Sequence, residues 1–358
     1  MTSRLSAFFG APHWPTVALT YAIGTSGGVV AMLAHLPLPM LLGSLLAVGA
    51  AALFGLRPLG RLPEAPQRLR MLFIPVIGVA IGGAARPGLL QEAVAWLPSL
   101  AILAIFIPAV HYAGFRILVA TGRIDKVTAL FATAPGGLVE TVQMGEEAGA
   151  DMQMLIMLQF LRLILTIVFI PLFFTWLVGH AVGSAGGAAV EGAEMGIFDL
   201  AVLVAAGVLG AIIGLKLRLP AGHVLGPIFL SGAAHLAGLT AAVPPQVTVW
   251  ATQVVIGTSL GVRFGGMPKR RILEALRLSL ISVTLMMGGA GLIAWSLASA
   301  VNETVPAVFL AFAPGGLVEM GLIALSLDLS ILYVTAHHLL RIILAVSVAR
   351  VFAHRLAR

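Results

Sequence analysis

Ala134-Pro135-Gly136-Gly137-Leu138-Val139-Glu140 is spelled again as Ala313-Pro314-Gly315-Gly316-Leu317-Val318-Glu319, and both copies lie inside long apolar runs. Proline and paired glycines interrupt a helix, and a carboxylate in an apolar run is costly. One offset, 179 residues, carries the first copy onto the second and also Arg162 onto Arg341, which marks an internal duplication. Matches extend outward: Leu36-Pro37 with Gly43 pairs with Leu219-Pro220 and Gly226, and Ile77-Gly78 with Gly82 pairs with Ile256-Gly257 and Gly261. The expected organisation is a first transmembrane repeat at 1–179, a Gly/Ala-rich joint at 180–197 carrying Glu191 and Glu194, and a second, inverted repeat at 198–358.

Composition places those repeats in a bilayer. Charged residues are 10% of the chain and hydrophobic ones 59%, against about a quarter charged in soluble domains. A formal net charge of +7 would suggest nucleic acid in a soluble protein, but the Arg and Lys residues cluster between apolar segments and read as topology signals. No nucleic-acid partner is expected. There is no cysteine, so disulfides and thiolate metal sites are excluded. The opening stretch, interrupted by Pro12-His13-Trp14-Pro15, reads as a retained first helix.

The two halves carry their basic loops in different places. Arg57, Arg61, Arg68 and Arg70 follow the second apolar segment of the first half, whereas the equivalent loop of the second half, Thr240 to Gln246, has no charge. Lys216, Arg218 and Lys269 to Arg271 instead follow its first and third segments. Keeping basic loops inside predicts halves that face opposite ways, hence an odd number of crossings in each. Six apolar segments per half satisfy this if the Pro-Gly-Gly segment enters and returns on one side, since its limbs are too short to span. The fold class expected is an all-α polytopic membrane protein with about ten transmembrane helices and two re-entrant Pro-Gly-Gly hairpins. In the rival arrangement the motif is a broken helix that crosses, which strands Lys216 and Arg218 on the wrong side.

Backbone without helical hydrogen bonds survives at membrane depth where protein buries it or water reaches it. The tips Ala134, Pro135, Gly136, Gly137, Leu138 and Ala313, Pro314, Gly315, Gly316, Leu317 are therefore the expected substrate site, with free N–H groups at the new helix starts attracting an anion. The glycines allow positive φ there, or the close approach of a ligand to the backbone. Arg162 and Arg341 join that site, and Glu140 and Glu319 are either their ion-pair partners or the ligands of a coupling H+ or Na+. Gln159 and His338 precede the two arginines by three residues and share their helix face, so they are candidates for lining the path, as are Thr25 and Ser26. Gly78 with Gly82 and Gly257 with Gly261 have the spacing of tight helix crossings. The nine histidines include no i,i+4 pair, and GxxxxGK[ST] is missing, so neither a metal site nor ATP-driven transport is expected.

The doubled Ala-Pro-Gly-Gly-Leu-Val-Glu element, Leu161-Arg162 with Leu340-Arg341, and the Leu-Pro openings resemble the AbrB-type bacterial inner-membrane family over nearly the whole chain. Members of that family carry labels such as ammonia monooxygenase or regulator-like membrane protein, which would imply an oxidoreductase subunit. The residues themselves favour a multi-pass inner-membrane secondary transporter, without cofactor or enzymatic activity, that moves a small organic anion with H+ or Na+. A passive channel for a small neutral solute such as ammonia is the alternative, and a homodimer is one expected assembly.

Overall fold

The computed structural model describes residues 12–179, 195–267 and 269–356, and the expected joint lies outside them as far as residue 194. Regular structure among the described residues is entirely helical. The first repeat runs α1 (Trp14–Leu33), α2 (Pro39–Leu53), α3 (Gln67–Gly82), α4 (Leu89–Ala95), α5 (Leu97–Ala120), α6 (Lys126–Thr133), α7 (Leu138–Glu147) and α8 (Met152–Val178). The second runs α9 (Ile197–Lys216), α10 (Gly222–Leu236), α11 (Gln246–Gly261), α12 (Lys269–Leu297), α13 (Val305–Phe312), α14 (Leu317–Ser326) and α15 (Ile331–Leu356). Equivalent helices agree in length: 20 residues for α1 and α9, 15 for α2 and α10, 16 for α3 and α11, 8 for α6 and α13, 10 for α7 and α14.

Six of the described helices are long and apolar enough to cross a membrane: α1, α5, α8, α9, α12 and α15. The expected ten are thus not reached by length alone. α2, α3, α10 and α11 have 15 or 16 residues, short of the roughly 20 that a hydrocarbon core of about 30 Å demands.

The chain divides into two compact units, and neither coincides with a repeat. The first gathers α1 to α3 with α9 to α11, and the second holds α4 to α7, most of α8 and α14, and α12, α13 and α15. Each unit therefore draws equivalent helices from both halves.

In the first unit, glycine permits the backbones to touch. A Cβ at Gly43 would overlap the carbonyl of Gly27, fixing α2 on α1, and one at Gly226 would overlap that of Gly210, fixing α10 on α9. The GxxxG faces cross between repeats: Gly78 and Gly82 of α3 meet Val224 O and Ile228 O of α10, while Gly257 and Gly261 of α11 meet Leu41 O and Leu45 O of α2. Small residues serve close packing here, where lipid offers no hydrophobic driving force. At one end His13 N donates to Glu64 Oε2 and Glu64 N to Thr20 Oγ1, both at 3.1 Å, which sets the start of α1 beside the start of α3. Val79 packs with Leu203, and Gly207 lies against Pro75 and Val79, so α9 descends along α3 and ends where α3 begins. The uncharged loop lies at the other end, with Thr240 Oγ1 donating to Asp199 Oδ1 at 2.7 Å.

In the second unit, α6 and α7 form a helical hairpin whose feet are tied by Asp151 N donating to Thr128 Oγ1 at 2.8 Å. Ion pairs Arg123–Glu274 (3.9 Å) and Arg271–Asp151 (3.1 Å) hold the start of α12 at those feet. Each incoming limb opens on a side-chain cap: Asp125 accepts from Thr128 N, and Thr304 from Ala307 N, at positions related by the repeat. Eight residues rise only about 12 Å, so α6 and α13 end well short of the bilayer thickness. Burial opposes ionisation of Asp125, but the Thr128 hydroxyl and the first N–H groups of α6 outweigh it and hold its carboxyl below the usual value.

Candidate functional site

A helix stopped inside an apolar unit leaves its last carbonyls without intrahelical partners. Pro135 and Pro314 stop α6 and α13 in this way, and the buried carbonyls must find other donors. Helix α8 supplies them to the first hairpin: Gln159 Nε2 donates to Phe131 O at 2.5 Å, and Arg162 Nη1 to Ala134 O and, at 3.4 Å, Ala132 O. Helix α15 does the same for the second hairpin. His338 Nε2 donates to Leu310 O at 2.8 Å, and Arg341 donates from Nη1 to Ala313 O and from Nη2 to Gly315 O. The repeat offset maps Gln159 and Phe131 onto His338 and Leu310, and Arg162 and Ala134 onto Arg341 and Ala313.

Both arginines hold the stopped limbs, a role that the Glu–Arg spacing did not announce. The recorded partners of Arg162 are two carbonyls and Gln159 Oε1 (2.6 Å), and those of Arg341 are two carbonyls. The reason lies in the geometry of the break. Both arginines face the C-terminal end of an incoming limb, which carries a partial negative charge of about half an electron, whereas each glutamate begins the outgoing limb beyond the tip. Arg162 and Arg341 are 7% and 1% exposed, so they are charges fully committed to the interior.

Gln159 and His338 are likewise buried and belong to the tips as carbonyl donors. His111 of α5 adds a further cap, with its Nε2 on Leu130 O at 2.8 Å. Sequence reasoning passed over it because the repeat offset lands on Ala290, so no second copy drew attention to it. His337, the neighbour of His338, turns to Ser99 Oγ at 2.8 Å and Tyr333 O. Thr25 and Ser26 are exposed on α1 and belong to the first unit, whereas both tips belong to the second.

Each of the motif glycines is free to take positive φ. Gly137 alone among the four motif glycines does so, at +63°. The others answer to space. Gly136 sits against α15, where an added Cβ would lie 3.5 Å from Ile342 Cα and 3.6 Å from Arg341 O. A Cβ at Gly137 would come within 2.6 Å of Val346 Cγ2. The tip of the first hairpin is thus seated on the helix that caps the second, beside Arg341. Leu138 and Leu317 begin the outgoing limbs, and two residues later Glu140 and Glu319 fold back over Gly137 and Gly316, so that a Cβ on either glycine would meet the carboxylate. A negative group suits that helix start.

The repeats diverge at these glutamates. Glu319 is 3% exposed within an apolar α14, while Glu140 is exposed and continues along α7 into exposed Gln143, Glu146 and Glu147. Among the described residues no three His, Asp or Glu side chains converge as a metal-holding group.

Comparison with known proteins finds relatives over most of the chain. The family described as "Transition state regulatory protein AbrB" matches residues 40–357. A protein of Escherichia coli (strain K12) named "Putative regulator AbrB" is 26% identical over 311 residues, 86% of this chain and 87% of its own. "Uncharacterized protein YhjN" of Bacillus subtilis (strain 168) is 25% identical over 352 residues, covering 91% and 89%. With duplicated hairpins lying inside the matched span, the chain belongs to the AbrB family.

Proposed function

We propose that this protein is a secondary transporter of the bacterial inner membrane that moves a small organic anion, such as a carboxylate, together with H+ or Na+. The observation that carries the reading is the pair of buried guanidinium groups in one unit, each held on the broken end of a half-helix, with one tip seated beside the other arginine. Discontinuous helices of this kind form substrate sites in many transporters.

The electrostatics argue for coupling. Two arginines and two half-helix N-termini are positive, and two half-helix C-termini and two glutamates are negative. With each helix end worth about half a charge, these nearly cancel when both glutamates are ionised. Adding an anion to such a neutral set, in which both arginines and Glu319 are buried, leaves an uncompensated charge, which costs several kcal/mol in low dielectric. A cation entering with it, as a proton on Glu319 or Glu140 or as Na+ beside them, removes that penalty. The exposed line of Glu140, Gln143 and Glu147 on α7 suits a hydrated approach for that cation, because a polar helix face is not stable against lipid.

The opposed ends of α1 and α9 relative to α3 support the inverted placement of the repeats, and the tied feet of the first hairpin support its entry and return on one side. Labelling tests the topology: single cysteines at Gln246 and Arg270, both exposed, should react from outside and inside respectively. Reaction of both from the same side would end the inverted reading.

Transport itself is tested by purified protein in liposomes, offered a panel of radiolabelled mono- and dicarboxylates under an imposed pH or Na+ gradient. Uptake of one of them above its equilibrium level, abolished when the gradient collapses, is the expected result. Movement of ammonia or another neutral solute that ignores both gradients would assign the protein to passive channels.

A further inference from the structure

The first unit carries a feature that the transport reading does not use. A groove of about 820 Å³ runs between α3 and α9, with Pro75 and Val79 on one wall and Leu203, Val204 and Val208 on the other. It follows α9 from Leu200 to Leu215, about 22 Å at 1.5 Å per residue. One leaflet of hydrocarbon is only about 15 Å deep, so an acyl chain fits along it with room to spare. α9 keeps an apolar face exposed, including Val204, Val208, Ile212 and Leu215.

The two ends of the groove differ. Pro244, Pro245 and Thr248 line the far end. The near end is bounded by Arg68 and His223, with Leu215 beside them, and the chain places Lys216 and Arg218 directly after Leu215. Arg70 lies within repulsive reach of both His223 and Arg263, so the basic groups at this end form a cluster rather than isolated surface charges. A lone basic cluster attracts any anion, and a lone apolar groove any hydrocarbon. Their union on a membrane-facing helix specifies a molecule with both.

We infer that the α3–α9 groove binds an anionic phospholipid, one acyl chain along the apolar walls and the phosphate at Arg68. Basic side chains at this depth match the negative inner leaflet, where each contributes roughly fivefold to the binding of acidic lipid. The site is independent of the Pro-Gly-Gly tips and stands or falls apart from transport.

Native mass spectrometry of the detergent-purified full chain tests it, with dioleoyl phosphatidylglycerol and dioleoyl phosphatidylcholine added as competing probes. The wild type is expected to retain one phosphatidylglycerol in preference to phosphatidylcholine. Arg68→Gln, an exposed position, should lower that preference about fivefold while leaving thermal unfolding unchanged. Ala211→Trp should fill the groove and abolish retention of both lipids. Equal retention of the two lipids by the wild type, or an unchanged preference in Arg68→Gln, would overturn the proposal. So would a dimer that Ala211→Trp converts to monomer with lipid retention unaltered, because the groove would then belong to a second copy.

Discussion

Arg341→Met is expected to leave little folded protein after mild heating. The substitution keeps an apolar stem but removes the donors to Ala313 O, which is buried, and Gly315 O, which is partly buried, at the tip of the second hairpin. Each acceptor stranded away from water costs about 1–3 kcal/mol, so the loss is roughly 2–6 kcal/mol against a total stability on the order of 5–15. Arg162→Met should cost about half as much, since His111 and Gln159 still cap the first hairpin through Leu130 O and Phe131 O and the Arg162 bond to Ala132 O is long, at 3.4 Å. Fluorescence-detected size exclusion after a temperature series would rank them. Equal melting of Arg341→Met and a surface variant such as Arg270→Met would show that the carbonyls do not depend on the guanidinium.

The second large effect is at the helix crossing of α9 and α10. Gly226→Ala is expected to prevent folding of the first unit, because its Cβ would overlap the carbonyl of Gly210 and only backbone movement could relieve the clash. Forcing an extra methyl into a closed packing costs about 1–3 kcal/mol where side chains can adjust, and more where backbone must give. Gly232→Ala on the same helix is the control: the nearest atoms, Ala85 Cβ and Gly82 O, stand at 3.4 and 3.6 Å. There the better helix propensity of alanine, up to about 1 kcal/mol, should leave stability equal or higher. Similar melting temperatures for the two variants would show that α9 and α10 are not in backbone contact.

The duplication, the broken helices and the buried arginines were legible in the sequence because each departs from what an apolar run tolerates, and each occurs twice. The placement of Gln159 and His338 beside their arginines followed from spacing alone. What the guanidinium groups hold was not legible. A heptapeptide that ends in Glu, followed 22 residues later by Arg, invites an ion pair, and composition says nothing of carbonyls, which every residue carries alike. Only the geometry of the stopped helix shows that the nearest unmet need of Arg162 and Arg341 is backbone. Similarly, the GxxxG spacing at Gly78 and Gly257 announced close packing without naming a partner. That α3 takes α10, and α11 takes α2, depends on how the halves interleave, a relation that local pattern does not encode.

The exchange of partners between repeats has a consequence for how the chain is made. When α3 leaves the ribosome, the surface that will cover Gly78 and Gly82 has not been synthesised, for Val224 and Ile228 belong to α10. At roughly 5–20 residues per second, the wait is on the order of ten seconds. During it the glycine face of α3 must be held by lipid or by the insertion machinery, and α2 likewise awaits α11. Neither half can complete its packing first and serve as a template for the other. The newborn protein stays unfinished until both copies of the gene's duplicated message have entered the membrane, and a ribosome that stalls between them leaves the glycine face of α3 with no partner to find.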